Sequence, residues 1–192
     1  MSEGIKLIVG LGNPGSQHLG DRHNVGFWFT DLIANDYHST FKTESKYKGE
    51  IANTKINSHD CKLLKPSTFM NTSGTSVAPL VNFFKLKSEN ILVVHDELDL
   101  APGEVRLKFQ GGHGGHNGLR DIISRLGSKN FYRLRIGIGH PGHKDAVSGY
   151  VLTKPSATDR TLINNSIEDA MRVLPEIIAG EFNSAMKKLH TK

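Results

Sequence analysis

One cysteine, Cys61, and one tryptophan, Trp28, are all that 192 residues contain of either type. A lone cysteine excludes an intrachain disulfide and a cysteine-based zinc site. Its neighbours Leu63 and Leu64 mark Cys61 as a small core residue. Long apolar runs are missing as well. The first, Ile5 to Val9, is cut by glycine after a few residues, and nothing approaches the ~20 residues that a membrane-spanning helix needs. The opening MSEGIKLIVGLG carries no basic leader, so the cytoplasm is the expected location. No Gly-x-Ser-x-Gly elbow occurs, which removes the commonest serine nucleophile. The turn Gly10-Leu11-Gly12-Asn13-Pro14-Gly15 resembles a phosphate loop. Pro14, however, breaks the dinucleotide fingerprint, and no Gly-Lys-Ser/Thr follows.

What is present is an ordinary globular composition, 37% hydrophobic and 22% charged, with a net charge of +5. The length suits one domain, residues 1–192, with a substantial core. The positive excess is local. Between Pro102 and Lys144 stand eight basic residues (Arg106, Lys108, Arg120, Arg125, Lys129, Arg133, Arg135, Lys144) and two acidic ones (Glu104, Asp121). A patch of this kind suits a phosphate-bearing partner, and a solvated face with no partner is the bland alternative.

Runs of four to six apolar residues alternate with helical periodicities, so the fold class expected is α/β: a single domain with a twisted, mixed, mostly parallel sheet flanked by about four helices. Ile5 to Val9 reads as a first buried strand, and Ile91 to Val94 as a central one that delivers His95, Asp96, Glu97 and Asp99 at its carboxyl end. Tyr47 to Asn57 and Lys62 to Leu64 read as strands joined by a turn over residues 58–60, and Val105 to Phe109 and Arg133 to Gly139 as two more. Helices are expected where Val25, Trp28, Phe29, Leu32 and Ile33 repeat, where Val77, Leu80, Val81 and Phe84 do, and around Leu119, Ile122, Ile123 and Leu126. A last long helix begins at a capping box formed by Ser156 and Asp159, with Pro175 kinking or dividing it and Gly180 closing it. Residues 142–149 read as a mobile connection, and Lys65 to Asn71 as a loop.

Two sites in this reading carry chemistry. His23 falls at the start of the first helix, where the helix dipole favours a neutral, base-competent ring. Asp96 ends the central strand. If the two are neighbours, the aspartate orients the imidazole and stabilises its protonated form, making His23 a general base for water with no covalent intermediate. Asn13, at the end of the first strand, is either a rim side chain or a turn former. Phe69 and Met70 are either core or groove wall, and Asn71 is either a helix N-cap or a ligand contact. The segment Gln110 to Asp121 interleaves Gly111, Gly112, Gly114, Gly115 and Gly118 with His113, His116 and Asn117. Glycine at this density means tight turning or close approach of something large. His113 and His116 lack an adjacent carboxylate pair, so no metal is expected.

The segments GLGNPG, RHNVG, KPSTFMNTSG, HDELDL, GGHGGHNGLRDI and FYRLRIGIGHPG together resemble those of the bacterial-type peptidyl-tRNA hydrolases, in the same order and spacing and over essentially the full length. The resemblance implies cleavage of the ester between a peptide and the terminal ribose of tRNA, recycling tRNA from stalled translation, by a cofactor-free and usually monomeric enzyme. It implies that His23 is the catalytic base, supported by Asp96, and that Asn13 discriminates N-blocked from free aminoacyl-tRNA. Phe69, Asn71, Asn117 and His116 would contact the peptidyl-tRNA end, and Lys108 and Arg135 the phosphates of the acceptor stem behind the CCA end. Two positions depart from the family pattern: His18 replaces a usual tyrosine and Asp21 a usual threonine. His18 can still stack on a base. Asp21 adds negative charge near His23, which should raise the pKa of the ring or weaken tRNA binding. Two readings of other kinds stand beside this one, an RNA-binding relative that has lost hydrolysis, and a nucleotide-binding enzyme built on the Gly10 to Gly15 turn.

Overall fold

The computed structural model describes residues 3–191. Seven strands form one sheet in the order β2-β3-β4-β1-β5-β7-β6. They are β1 Leu7–Gly10, β2 Lys42–Glu44, β3 Gly49–Ile56, β4 His59–Pro66, β5 Ile91–Glu97, β6 Val105–Phe109 and β7 Tyr132–Gly137. The central pairings β4-β1, β1-β5 and β5-β7 are parallel. β3 and β6 run against their neighbours, as expected of a mixed and mostly parallel sheet. Six α-helices flank it: α1 Val25–Asp36, α2 Gly74–Phe83, α3 Asn117–Leu126, α4 Val147–Val151, α5 Ala157–Ala179 and α6 Phe182–His190.

Successive side chains of a strand point to opposite faces, so a strand covered on both sides must be apolar throughout. β1 and β5 show this. Ile8, Leu92 and Val94 pack on one face against Val25, Phe29 and Ile33 of α1 and the buried stripe Ile163, Ile167, Leu174 and Ile177 of α5. Leu7, Val9, Ile91 and Val93 pack on the other against Val77 and Leu80 of α2 and Leu119 and Ile122 of α3. Ile8, Leu92 and Phe29 have no solvent exposure. Truncating any of them to alanine should cost about 2–5 kcal/mol.

The chain leaves β1 towards β4 and leaves β5 towards β7, so the connections part between these two neighbours. Open α/β sheets form their ligand crevice at such a switch point, outside the carboxyl ends of the strands. The same period of two continues past Val94 and turns Asp96 towards the α1 face. Gly26 lets α1 come close there, since a Cβ at this position would lie 2.4 Å from Leu11 N and 2.5 Å from Val94 O.

Several boundaries differ from the sequence reading. β4 starts at His59 and runs through Lys65 and Pro66, because a two-residue turn, Asn57-Ser58, with φ of 46° and 70°, already reverses the chain. The helix α5 continues through Pro175 and ends at Gly180, whose φ is 85°. Residues 144–151 form a short 3-10 turn followed by α4, with Val151 buried, and so place a helix over the second half of the connection read at residues 142–149. Two helices beyond the expected four, α4 and α6, account for the difference in number. The Ser156 hydroxyl does cap α5, accepting from Asp159 N at 3.1 Å.

Candidate active site

The turn that carries His23 is a single 3-10 turn, Arg22–Asn24, running directly into α1, and all three of its residues are buried. Its neighbour Asn24 forms a reciprocal pair with Asn13: Asn13 N donates to Asn24 Oδ1 at 2.9 Å, and Asn24 Nδ2 donates to Asn13 O at 3.0 Å. This locks the end of β1 to the start of α1. The Asn13 side chain is then fixed by Met70 N, which donates to its Oδ1 at 2.7 Å. With that oxygen engaged, the Nδ2 hydrogens are what Asn13 has to offer a ligand. The rim reading of Asn13 therefore describes it, and Asn24 and Met70 supply the support. The sequence did not show this supporting role for either residue, because both act through pairings far apart in the chain.

His23 Nδ1 lies 2.8 Å from Asp96 Oδ2, and His116 Nε2 lies 2.7 Å from Asp96 Oδ1. One buried carboxylate thus holds two imidazoles, whose ring centroids are 5.0 Å apart. The tautomer of His116 follows from its other nitrogen. His116 Nδ1 accepts from Gly118 N at 3.1 Å and Leu119 N at 3.3 Å, as the N-cap of α3, so the proton sits on Nε2 and points at Asp96. Gly118 lets Met70 pack close to this cap, since a Cβ there would lie 2.6 Å from Met70 Sδ and force that side chain to shift.

Burial alone would lower the pKa of His23, but the charge and hydrogen bond of Asp96, with a smaller contribution from Asp21, outweigh it. The ring therefore titrates above the ordinary imidazole range, against the neutral state expected from the helix dipole. Burial likewise pushes the Asp96 carboxyl up. The charges and hydrogen bonds of His23 and His116 overcome this and hold it well below the usual carboxylate range. His95, next to it, is pushed down to about 4 by burial and by His116. It donates from Nδ1 to Asp96 O at 2.8 Å and stays out of the carboxylate cluster.

The ligand atoms of His23, Asp96 and His116 lie within 4.8 Å of one another, a spacing a metal ion would accept. The hydrogen bonds argue against one. A metal on His116 Nε2 would move the ring proton to Nδ1, where two backbone N–H groups already donate.

A cavity of about 130 Å³ opens beside the cluster, lined by His23, His95, Asp96, His116 and Asn117 and, from α4, Val147, Ser148 and Val151. Asn117 begins α3, and its Oδ1 accepts from Arg120 at 2.8 Å. Phe69 is 64% exposed, and Asn71, also exposed, lies in the 3-10 turn Met70–Thr72. Met70 beside them is core, so the open choice between core and groove resolves differently for adjacent residues. Asn71 is not the cap of α2, a place taken by Ser73.

Lys108 and Arg135 line a second cavity, of about 270 Å³, under the glycine loop together with Arg133, His95 and His113. Lys108 is exposed, whereas Arg135 is ion-paired to Glu97 at 2.8 Å, which offsets its charge. Arg133 is buried and donates to the carbonyls of Gly111 and Gly112, so it holds the loop in place. Burial and Arg135 lower its pKa to about 10, still leaving it charged. In the loop, Gly111 and Gly115 take φ of 119° and 85°, which answers the glycine density with tight turning. The two departures meet each other: His18 Nδ1 lies 2.7 Å from the buried Asp21 Oδ2.

Fold and site together define a class of protein, an α/β fold in which a buried carboxylate holds two imidazoles at the switch point of a mostly parallel sheet. The comparisons narrow the class to a family. The family model for peptidyl-tRNA hydrolase matches residues 7–192. A peptidyl-tRNA hydrolase of Coxiella burnetii is 54% identical over 191 residues, covering 100% of both chains. That of Stenotrophomonas maltophilia is 55% identical over 188 residues, covering 98% of each. The crystal structure of peptidyl-tRNA hydrolase from Acinetobacter baumannii superposes with a TM-score of 0.97 at 46% identity, covering 100% of this chain and 97% of that one. A peptidyl-tRNA hydrolase in complex with N-propanol gives 0.95 at 48%, covering 97% and 95%. The chain belongs to the peptidyl-tRNA hydrolase family.

Proposed function

We propose that this chain, acting as one domain, hydrolyses peptidyl-tRNA with His23 as the general base. Membership of the family supports the activity and the substrate. The observation that carries the mechanism is the 2.8 Å contact of His23 Nδ1 with Asp96, which leaves Nε2 for a water molecule in the cavity the ring lines. Nε2 takes a proton from that water as its oxygen attacks the ester carbonyl. Asp96 stabilises the imidazolium that forms, and His116 Nε2–H stabilises Asp96 in turn. When the tetrahedral intermediate collapses, the imidazolium returns the proton to the departing ribose oxygen. Peptide acid and free tRNA result, with no covalent enzyme intermediate and no cofactor.

An N-blocked aminoacyl group presents an amide carbonyl where a free one presents an ammonium. The Nδ2 hydrogens of Asn13 suit that carbonyl, whereas a carboxylate there would reward the free amine. Phe69 offers an exposed face for stacking a base of the CCA end, and Asn71, Asn117, His116 and His18 are the further contacts proposed for the peptidyl-tRNA end. Lys108, with Arg135 behind it, contacts acceptor-stem phosphates, which reads no sequence and so suits an enzyme that accepts many tRNAs. Release of tRNA from stalled translation by a cytoplasmic monomer is the setting this implies. Among the described residues, no helix is long and apolar enough to cross a membrane.

A cleavage assay on wild type and His23→Ala, with tRNA binding measured in parallel, tests the reading. The expected result is a loss of about 10²–10⁴-fold in kcat with tRNA binding retained. Substantial cleavage by His23→Ala overturns the base assignment. Binding without cleavage in the wild type points instead to an RNA-binding relative that has lost hydrolysis.

A further inference from the structure

The arginine of the RHNVG segment has no part in the chemistry above, yet it is buried beside the base. Its backbone and side chain are directed at a segment some 130 residues further on. Arg22 N donates to Thr153 O at 3.0 Å. The guanidinium Nη1 donates to Thr153 Oγ1 at 2.5 Å, Thr153 O at 3.2 Å and Tyr150 O at 3.1 Å. Its carbon lies 3.9 Å over the Tyr150 ring. Tyr150 is anchored in turn, its hydroxyl donating to Ile138 O at 2.6 Å just beyond β7. Tyr150 belongs to α4, and Thr153 follows that helix by two residues. The other side of α4 presents Val147, Ser148 and Val151 to the catalytic cavity.

We propose that Arg22 is a positioning residue that fastens the α4 wall of the cavity to the turn bearing His23, so that wall and base keep one geometry. This rests on the assignment of His23 as the base. The alternative, that Arg22 only stabilises the fold, meets two observations. Every partner named above lies in the 150–153 segment, and of these only Tyr150 packs against the core, from its partly buried edge. In addition, Thr153 is exposed and can be changed without opening a core. Arrays of this kind are sensitive because a displacement of about 1 Å at a reacting centre can cost on the order of 10² in rate. A lysine could keep the charge and donate to the same acceptors, but it lacks the planar guanidinium that lies over the Tyr150 ring.

The test compares kcat and KM for peptidyl-tRNA in Arg22→Lys, Thr153→Val and the double variant, with His23→Ala as control and thermal unfolding measured for each. Expected is a fall of about tenfold or more in kcat for Arg22→Lys, with KM changed less than about twofold. Thr153→Val should give a smaller fall of the same kind, and the double variant should be no worse than Arg22→Lys. The acid limb of the pH profile should stay in place, because Asp96 and Asp21 set the titration of His23. Normal kcat in folded Thr153→Val, or multiplying losses in the double variant, overturns the coupling. Should Arg22→Lys fail to fold, Thr153→Val decides alone. An active His23→Ala would instead remove the base assignment, and the two failures are thereby told apart.

Discussion

The base-bearing turn and the outer groove differ in how tightly their side chains are held. His23, Asp96 and Asn13 are each buried, and every one is engaged through a hydrogen bond to a partner far along the chain. Phe69 and Asn71, a short way off, stand exposed, as does Lys108 on the edge strand. The difference follows from what each region has to do. A base that must abstract a proton at one place gains from a carboxylate fixed before substrate arrives, since reorganisation then adds nothing to the barrier. Groups that meet a large polyanion through stacking and phosphate contact act through area and charge, and they tolerate mobility. Changes in the first region should therefore appear in kcat, and changes in the second in KM and salt dependence.

The largest effect should come from Asp96→Asn. It removes the negative charge that supports the imidazolium and can present an N–H to His23 in place of an acceptor, so kcat should fall by about 10²–10⁴-fold with tRNA binding intact. A KM effect without a kcat effect would erase the contrast between the regions. Next, Phe69→Ala should weaken peptidyl-tRNA binding by about 1–3 kcal/mol with kcat at saturation unchanged, as titration with the 3′-terminal fragment would show. Lys108→Ala should reduce the slope of log K against log salt by about 1, whereas the same change at the ion-paired Arg135 should do less. Equal slopes for both variants would mean that Glu97 does not offset Arg135.

The smallest effect sharpens the contrast at its boundary. Asp21 helps raise the pKa of His23, and the base acts only when deprotonated. A raised pKa places the acid limb of the activity profile at higher pH, so Asp21→Thr should move that limb to lower pH and increase activity on the acid side. An unmoved limb together with an unchanged KM would show that Asp21 acts neither on His23 nor on tRNA binding.

How much of this was legible in the sequence depends on whether the signal was local. Val105–Phe109 matched its strand at both ends, because alternation and the flanking glycine-rich loop bound it on one side and a Pro-Gly turn on the other. The unbroken apolar run Ile91 to Val94 located β5 and, with it, the carboxyl end that delivers Asp96. Pro175 does not divide α5, because Leu174, Ile177 and Ile178 on either side of it, all buried, hold the helix together. The helix α4 was not legible because the contacts that hold it come from Arg22 and Ile138, residues with no sequence relation to it. At the site, the residue types and the six ordered segments pointed to His23, Asp96 and Asn13. The second imidazole on Asp96 was hidden, since nothing in GGHGGHNG shows that His116 caps a helix with one nitrogen while holding the carboxylate with the other.

The pairing of His23 with Asp96 is most directly tested by following the His23 ring protons by NMR as pH is varied, in wild type and in Asp96→Asn. In the wild type the titration midpoint should lie above that of an ordinary histidine, because the carboxylate outweighs burial. In Asp96→Asn burial acts without its counterweight, and the midpoint should fall. A wild-type midpoint at or below the ordinary value, or one that Asp96→Asn leaves in place, would contradict the account.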